Sequence, residues 1–135
     1  MSDVRPRPKP IPTTQPFWDG LAAETVTLQH CADCGVWVYY PRRRCPGCLS
    51  DRLVWEVVSG RGRVYSWTVA RQATHPAFEA EVPQILAVVE LAEGVRLTTS
   101  LVGVEPDGVA VGDEVEPHFD HGADGVTLLR YRPVQ

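Results

Sequence analysis

Cys31-Ala32-Asp33-Cys34-Gly35 and Cys45-Pro46-Gly47-Cys48 form two C-x-x-C pairs with ten residues between them, including the apolar run Val36-Trp37-Val38-Tyr39-Tyr40. Each pair sets two thiolates on one knuckle, and Gly35 and Gly47 permit the turns that aim backbone N–H groups at sulfur. The strand and its return bring the knuckles together. Four thiolates at tetrahedral corners suit Zn²⁺, and a closed set with no position left for water is structural rather than catalytic. The ligand set Cys31, Cys34, Cys45 and Cys48 would equally accept iron as a rubredoxin-like site. A redox C-x-x-C expects a single pair at a helix start, not two on hairpin knuckles. His30 adjoins Cys31, but with four ligands in place it reads as a strand residue.

Strand patterns surround the knuckles. Val26, Leu28 and His30 alternate with Thr25, Thr27 and Gln29; Val36 to Tyr40 is a second strand ended by Pro41; Leu53 to Val58 is a third, ended by Ser59-Gly60. Five longer runs follow, Arg63 to Arg71, Gln84 to Leu91, Val95 to Val102, Glu114 to Phe119 and Val126 to Tyr131. With short spacing and no helical period between them, they predict a small five-stranded barrel. In the first of these, Val64, Ser66, Thr68 and Ala70 are expected opposite Tyr65, Trp67 and Val69. Trp37, Trp55 and Trp67 read as core or ribbon–barrel contacts, and Glu90 as a rim residue facing water. Turns fall at Ala92-Glu93-Gly94, at Pro106-Asp107-Gly108 and between Gly122 and Gly125. The segment from Gln72 to Pro83 has no strand pattern, a length at which loops often carry function.

Ahead of the ribbon, Arg5-Pro6-Arg7-Pro8-Lys9-Pro10-Ile11-Pro12 alternates proline with other residues, which enforces an extended, polyproline-like arm. Thr13 or Thr14 is placed to cap a short helix whose apolar stripe is Phe17, Trp18, Leu21 and Ala22. So short a helix must dock on its own domain or on another subunit. The expected division is an arm at 1–13, helix and zinc ribbon at 14–60, and an OB-type barrel at 61–135, a mostly β fold.

Charge is unevenly placed. Residues 1–70 carry nine basic and six acidic groups, residues 71–135 four and eleven, within a formal net charge of −4. The acidic half argues against a general nucleic-acid coat, which needs positive surface to release counterions. Only Lys9 of the 13 basic residues is a lysine, so no catalytic lysine is expected beyond the arm. No apolar run approaches a membrane span and no apolar leader is present, so the expectation is a soluble, cytoplasmic protein with reduced thiols and no membrane contact.

Arg42-Arg43-Arg44, following Tyr39-Tyr40, reads either as a solvated turn or as a contact for phosphates of a nucleic acid or a CoA-like cofactor, as do Arg61, Arg63 and Arg71. Asp120, His121, Asp124 and His75 are raw material for acid–base work, but nothing in the sequence fixes their geometry and no G-x-S-x-G nucleophile accompanies them.

With ribbon and barrel in that order, the sequence resembles a family of OB-fold proteins carrying an N-terminal rubredoxin-like zinc ribbon, long known as a domain of unknown function and associated with acyl-CoA enzymes. The matching residues are Pro16-Phe17-Trp18-Asp19-Gly20-Leu21, both cysteine pairs, Ser59-Gly60-Arg61-Gly62-Arg63-Val64-Tyr65-Ser66-Trp67-Thr68, and the loop segments His75-Pro76-Ala77-Phe78 and Val82-Pro83. The resemblance spans about residues 15–133. It implies a noncatalytic accessory subunit that stabilises a thiolase-fold enzyme in a hetero-oligomer and shapes its acyl-CoA channel. Such partners include ketothiolases, hydroxymethylglutaryl-CoA synthase and lipid-transfer-protein-like aldolases acting on steroid side-chain thioesters; other members accompany MaoC-type hydratases. It implies no catalytic residues to carry over, acyl-CoA contact through the partner with direct contact by this chain left open, and one structural zinc. The alternative is a single-stranded nucleic-acid binder, since ribbons and OB barrels both serve that purpose.

Overall fold

Ile85, Ala87, Val89 and Leu91 are buried and alternate with half-buried neighbours, the mark of a strand with one face on a core. In the computed structural model, which describes residues 8–123 and 125–134, this is one of eight strands. The order is α1 (Gln15–Ala22), β1 (Val26–Cys31), β2 (Trp37–Val38), β3 (Leu53–Val58), β4 (Gly62–Ala70), β5 (Gln84–Leu91), β6 (Arg96–Leu101), β7 (Glu114–His121) and β8 (Thr127–Pro133). The first three strands form an antiparallel sheet, β2-β1-β3, and the other five close a barrel, β4-β5-β6-β8-β7. Barrel neighbours are antiparallel except β6 and β8, which run parallel and meet at Leu101 and Tyr131. The mostly β class, the short helix and the five-stranded barrel agree with the sequence. Among the described residues no helix is long and apolar enough to cross a membrane. Residues 1–7 of the proline-rich arm lie outside those described.

Thr14 precedes α1, but its side chain does not cap the helix; its Oγ1 accepts the Ile11 N–H at 3.1 Å and donates to the Ile11 carbonyl at 3.3 Å, closing the turn before it. The helix is held by its buried Phe17 and Leu21, each worth about 1.5–3 kcal/mol of transfer free energy. It lies against β1 so closely that a Cβ on Gly20 would come within 2.6 Å of Thr27 Oγ1. β1 is buried on both faces. Val26 and Leu28 join the barrel residues Val64, Val89 and Tyr131 in one apolar cluster, while Thr27 and Gln29 point the opposite way.

Two strand expectations are corrected. β2 is only two residues long, because Tyr39 and Tyr40 leave the sheet and pack edge-on against Phe17. In β4 a bulge at Tyr65 interrupts the pairing with β5 between Val64 and Ser66. The extra residue reverses the alternation, so Val64 shares the core side with Trp67 instead of opposing it. The 72–83 connection holds a 3₁₀ turn, Pro76–Glu81, whose Ala77 N–H is capped by His75 Nδ1 at 3.0 Å. At the barrel rim Glu90 is half-buried and pairs with Arg96 at 3.0 Å.

Two buried polar side chains tie the pieces together. Tyr131, fully buried, donates its hydroxyl to the Gly60 carbonyl at 2.6 Å, at the passage from ribbon to barrel. Gly60 has φ +74°, and a Cβ there would meet Pro117 Cγ at 2.7 Å and Val26 Cγ2 at 2.8 Å, so glycine is required on both counts. Arg130, 9% exposed, donates from Nε to Asp120 at 2.7 Å, from Nη1 to Ser100 at 2.6 Å and from Nη2 to Glu81 at 3.2 Å. It thereby fastens the 72–83 loop to β6, β7 and β8.

Tyr131→Phe leaves a buried carbonyl without this donor and should cost about 1–3 kcal/mol in urea denaturation. Arg130→Met strips the cation from two carboxylates and should cost about 3 kcal/mol, with hydrogen exchange rising first at residues 76–83.

Candidate metal centre

The last residue of β1 is Cys31, and the chain turns at once. The Cys31 N–H bonds the Val36 carbonyl at 2.9 Å, the Gly35 N–H bonds the Cys31 carbonyl at 2.9 Å, and the Cys34 N–H points at Cys31 Sγ at 3.4 Å. The second knuckle repeats this frame: Cys45 N–H to the Ser50 carbonyl at 2.8 Å, Leu49 N–H to the Cys45 carbonyl at 2.8 Å, and Gly47 N–H to Cys45 Sγ at 3.3 Å. Gly35 and Leu49 are therefore equivalent positions, with φ of +81° and +65°. For leucine that conformation costs about 1–2 kcal/mol.

The four sulfurs lie within 4.8 Å of one another, with Cys31 and Cys48 at 3.6 Å and Cys34 and Cys45 at 3.5 Å. Cys31 and Cys45 are buried, Cys34 and Cys48 exposed. The backbone N–H of Cys34 draws the Cys31 thiol down to about 6 against desolvation, and the N–H of Cys48 lowers Cys45 in the same way. Cys48, despite the Ser50 N–H, is driven up to about 12 by desolvation and then by the neighbouring Cys31 sulfur. Such splitting is what four crowded thiols show when one charge opposes the next, and a divalent cation at their centre removes it. Soft donors, a closed set of four and N–H groups turned toward sulfur fit a structural metal ion. The four cysteines are positioned to bind one, as expected.

Neighbouring side chains brace the knuckles. His30 stands outside the sulfur cluster, its Nδ1 2.6 Å from Glu56 Oε2, its Nε2 3.0 Å from the Gly35 carbonyl and its ring stacked on Trp37 at 4.2 Å. Buried Gln29 clamps the intervening loop, donating to the Arg42 carbonyl and accepting its N–H, both at 2.8 Å. Asp33 holds Ser50 and Arg52. Arg42, Arg43 and Arg44 are exposed and make no ion pair among the described residues, and Arg44 donates to the Leu49 carbonyl at 3.2 Å. Arg61 and Arg63, by contrast, face Glu116 and Glu114, and Arg71 is exposed.

The acid–base candidates are not brought together. Asp120 is engaged by Arg130, whereas His121 lies between Thr127 Oγ1 and Glu24 Oε2, 2.9 Å from each. His75 caps its 3₁₀ turn, and Asp124 lies outside the described residues. What sequence reasoning missed is a cleft of about 360 Å³ between α1, the two tyrosines and the outer face of β5, β6 and β8. Phe17, Trp18, Tyr39, Tyr40 and Phe78 line it, and Trp18 Nε1 donates to the Tyr40 hydroxyl at 3.1 Å. Burial pushes Tyr39 up to about 12, so its hydroxyl is neutral. Arg130 lies in its wall; in sequence it is only one arginine within Leu128-Leu129-Arg130-Tyr131, with no spacing that announces its partners.

Comparison with known proteins matches this architecture in two parts. Residues 18–54 match the ChsH2 rubredoxin-like zinc ribbon domain and residues 55–120 the ChsH2 C-terminal OB-fold domain. The chain is 39% identical over 133 residues to a probable enoyl-CoA hydratase alpha subunit of Thermomonospora curvata, covering 96% of this chain but 40% of that protein. A DUF35 domain-containing scaffold protein of Methanocaldococcus jannaschii is 37% identical over 108 residues, 76% of this chain and 75% of that one. A solved chain described as an Ltp2-ChsH2(DUF35) aldolase superposes with a TM-score of 0.83 at 35% identity, over 94% of this chain and 98% of its own. With both domain models matched in this order and relatives matched over most of the chain, the chain belongs to the DUF35 family, as a ChsH2-type zinc ribbon followed by an OB-fold.

Proposed function

We propose that this chain is a noncatalytic accessory subunit that binds and stabilises a thiolase-fold acyl-CoA enzyme in the cytoplasm. The observation that carries the reading is the match, over nearly the full length of both chains, to the chain of an Ltp2-ChsH2(DUF35) aldolase. The scaffold name of the archaeal relative points the same way. Within the chain, the support is the division of labour among its residues: the cysteines form a closed ligand set, and His121 and Asp120 are committed to structural bonds. A retro-aldolase acting on a steroid side-chain CoA thioester is the partner reaction that fits the family resemblance, with acyl-CoA contacted by way of the partner.

In this reading Cys31, Cys34, Cys45 and Cys48 hold one structural zinc. When bound, the ion supplies positive charge and cross-links the knuckles, with no part in group transfer. Elemental analysis should return about one zinc per chain in place of iron, and Cys34→Ser should abolish it and yield an aggregating chain that captures no partner. A soluble, normally associating and metal-free Cys34→Ser variant would remove the zinc from the account.

Co-expression with a thiolase-fold subunit from the same genome should give a co-purifying complex whose acyl-CoA cleavage falls when this chain is omitted. A chain that stays monomeric beside such subunits, yet binds single-stranded DNA with a steep salt dependence, would favour nucleic-acid binding instead.

A further inference from the structure

The equivalence of Gly35 and Leu49 exposes a choice that the metal site does not explain. Both positions hold positive φ, where glycine is at ease and a side chain is strained. The first knuckle uses glycine. The second uses leucine, and that leucine is 69% exposed. Leu49 thus accepts backbone strain and shields no core in return, a combination expected of a side chain displayed for contact.

Its surroundings point to the kind of contact. The other knuckle displays Val36, 42% exposed, whose Cγ2 would lie 4.0 Å from a Cβ built on Gly47, which places it beside the second knuckle. Arg43 and Arg44 are exposed beside them. Arg52, Arg61, Arg63, Arg96, Arg130 and Arg132 each face a carboxylate, whereas the run Arg42-Arg43-Arg44 and, apart from it at the end of β4, Arg71 face none among the described residues. A tip with apolar anchors and unneutralised arginines at its edge has the make-up of a protein interface, in which the anchor supplies affinity and the rim charges supply steering. A nucleic-acid phosphate would engage the arginines but has no use for a strained leucine.

We propose that this ribbon tip, with Leu49 as anchor and Arg43 and Arg44 at its rim, is the surface that docks the enzyme subunit. The socket on that subunit is apolar and bordered by carboxylates. The inference rests on the accessory-subunit reading and goes further in naming the contact.

The test is titration calorimetry of the zinc-loaded chain with the co-expressed thiolase-fold subunit. Wild type must bind; no complex with wild type overturns both readings. Given binding, Leu49→Gly should keep its zinc, melt at the same or a higher temperature, and bind about tenfold more weakly or worse. Leu49→Asn, which also tolerates positive φ, should bind as weakly. Arg43→Glu should slow association and flatten its salt dependence. Val111→Ser, which removes an equally exposed apolar side chain (67%) from the barrel, should bind like wild type. Wild-type affinity in both Leu49 variants, a lower melting temperature in Leu49→Gly, or equal weakening by Val111→Ser overturns this surface while leaving the accessory role standing.

Discussion

A ribbon of three short strands cannot bury enough apolar surface to hold itself together, and the structure is organised around that shortage. β1 is the answer. Its Val26 and Leu28 are lent to the barrel core, and its last residue supplies the first sulfur of the four-cysteine cluster. α1 covers the opposite face of the same strand. The ribbon is thus held at one end by apolar burial that it shares with the barrel, and at the other its own four cysteines are gathered where a metal ion would cross-link them.

Buried polar groups do the remaining positioning, and each spans elements distant in sequence. Gln29 reaches Arg42, Tyr131 reaches Gly60, and Arg130 gathers Glu81, Ser100 and Asp120. Placing these groups inside is tolerable only because partners are supplied, since an unpaired buried donor or charge costs several times what the pair returns. They therefore specify one arrangement of ribbon, barrel and loop more than they add to its stability. The apolar cluster, which is less demanding of geometry, supplies the driving force.

Much of this was legible because it depends on local spacing. The C-x-x-C pairs announce the knuckles at sight, and the alternation from Gln84 to Leu91 appears in the structure with those same bounds. The register of β4 was not legible, because the bulge at Tyr65 depends on how β5 pairs with it rather than on any residue in the strand. The cleft was missed for a similar reason: Phe17, Tyr39 and Phe78 belong to three separate segments, and only the closed barrel brings them into one wall. Asp120 and His121 looked like a pair in sequence, yet adjacent residues of a strand point to opposite faces, and each found a different partner.

The double attachment of β1 has a metrical consequence. A strand advances about 3.3 Å per residue, so the five steps from Val26 in the barrel core to Cys31 in the sulfur cluster span about 17 Å. β1 thereby acts as a ruler between the two halves, paired along its whole length with β3 and so unable to bend freely. A one-residue insertion in it would lengthen the ruler by one step and turn Gln29 from its loop toward the barrel. The distance at which the knuckles stand off from the barrel is therefore a fixed dimension of the molecule, set by strand geometry.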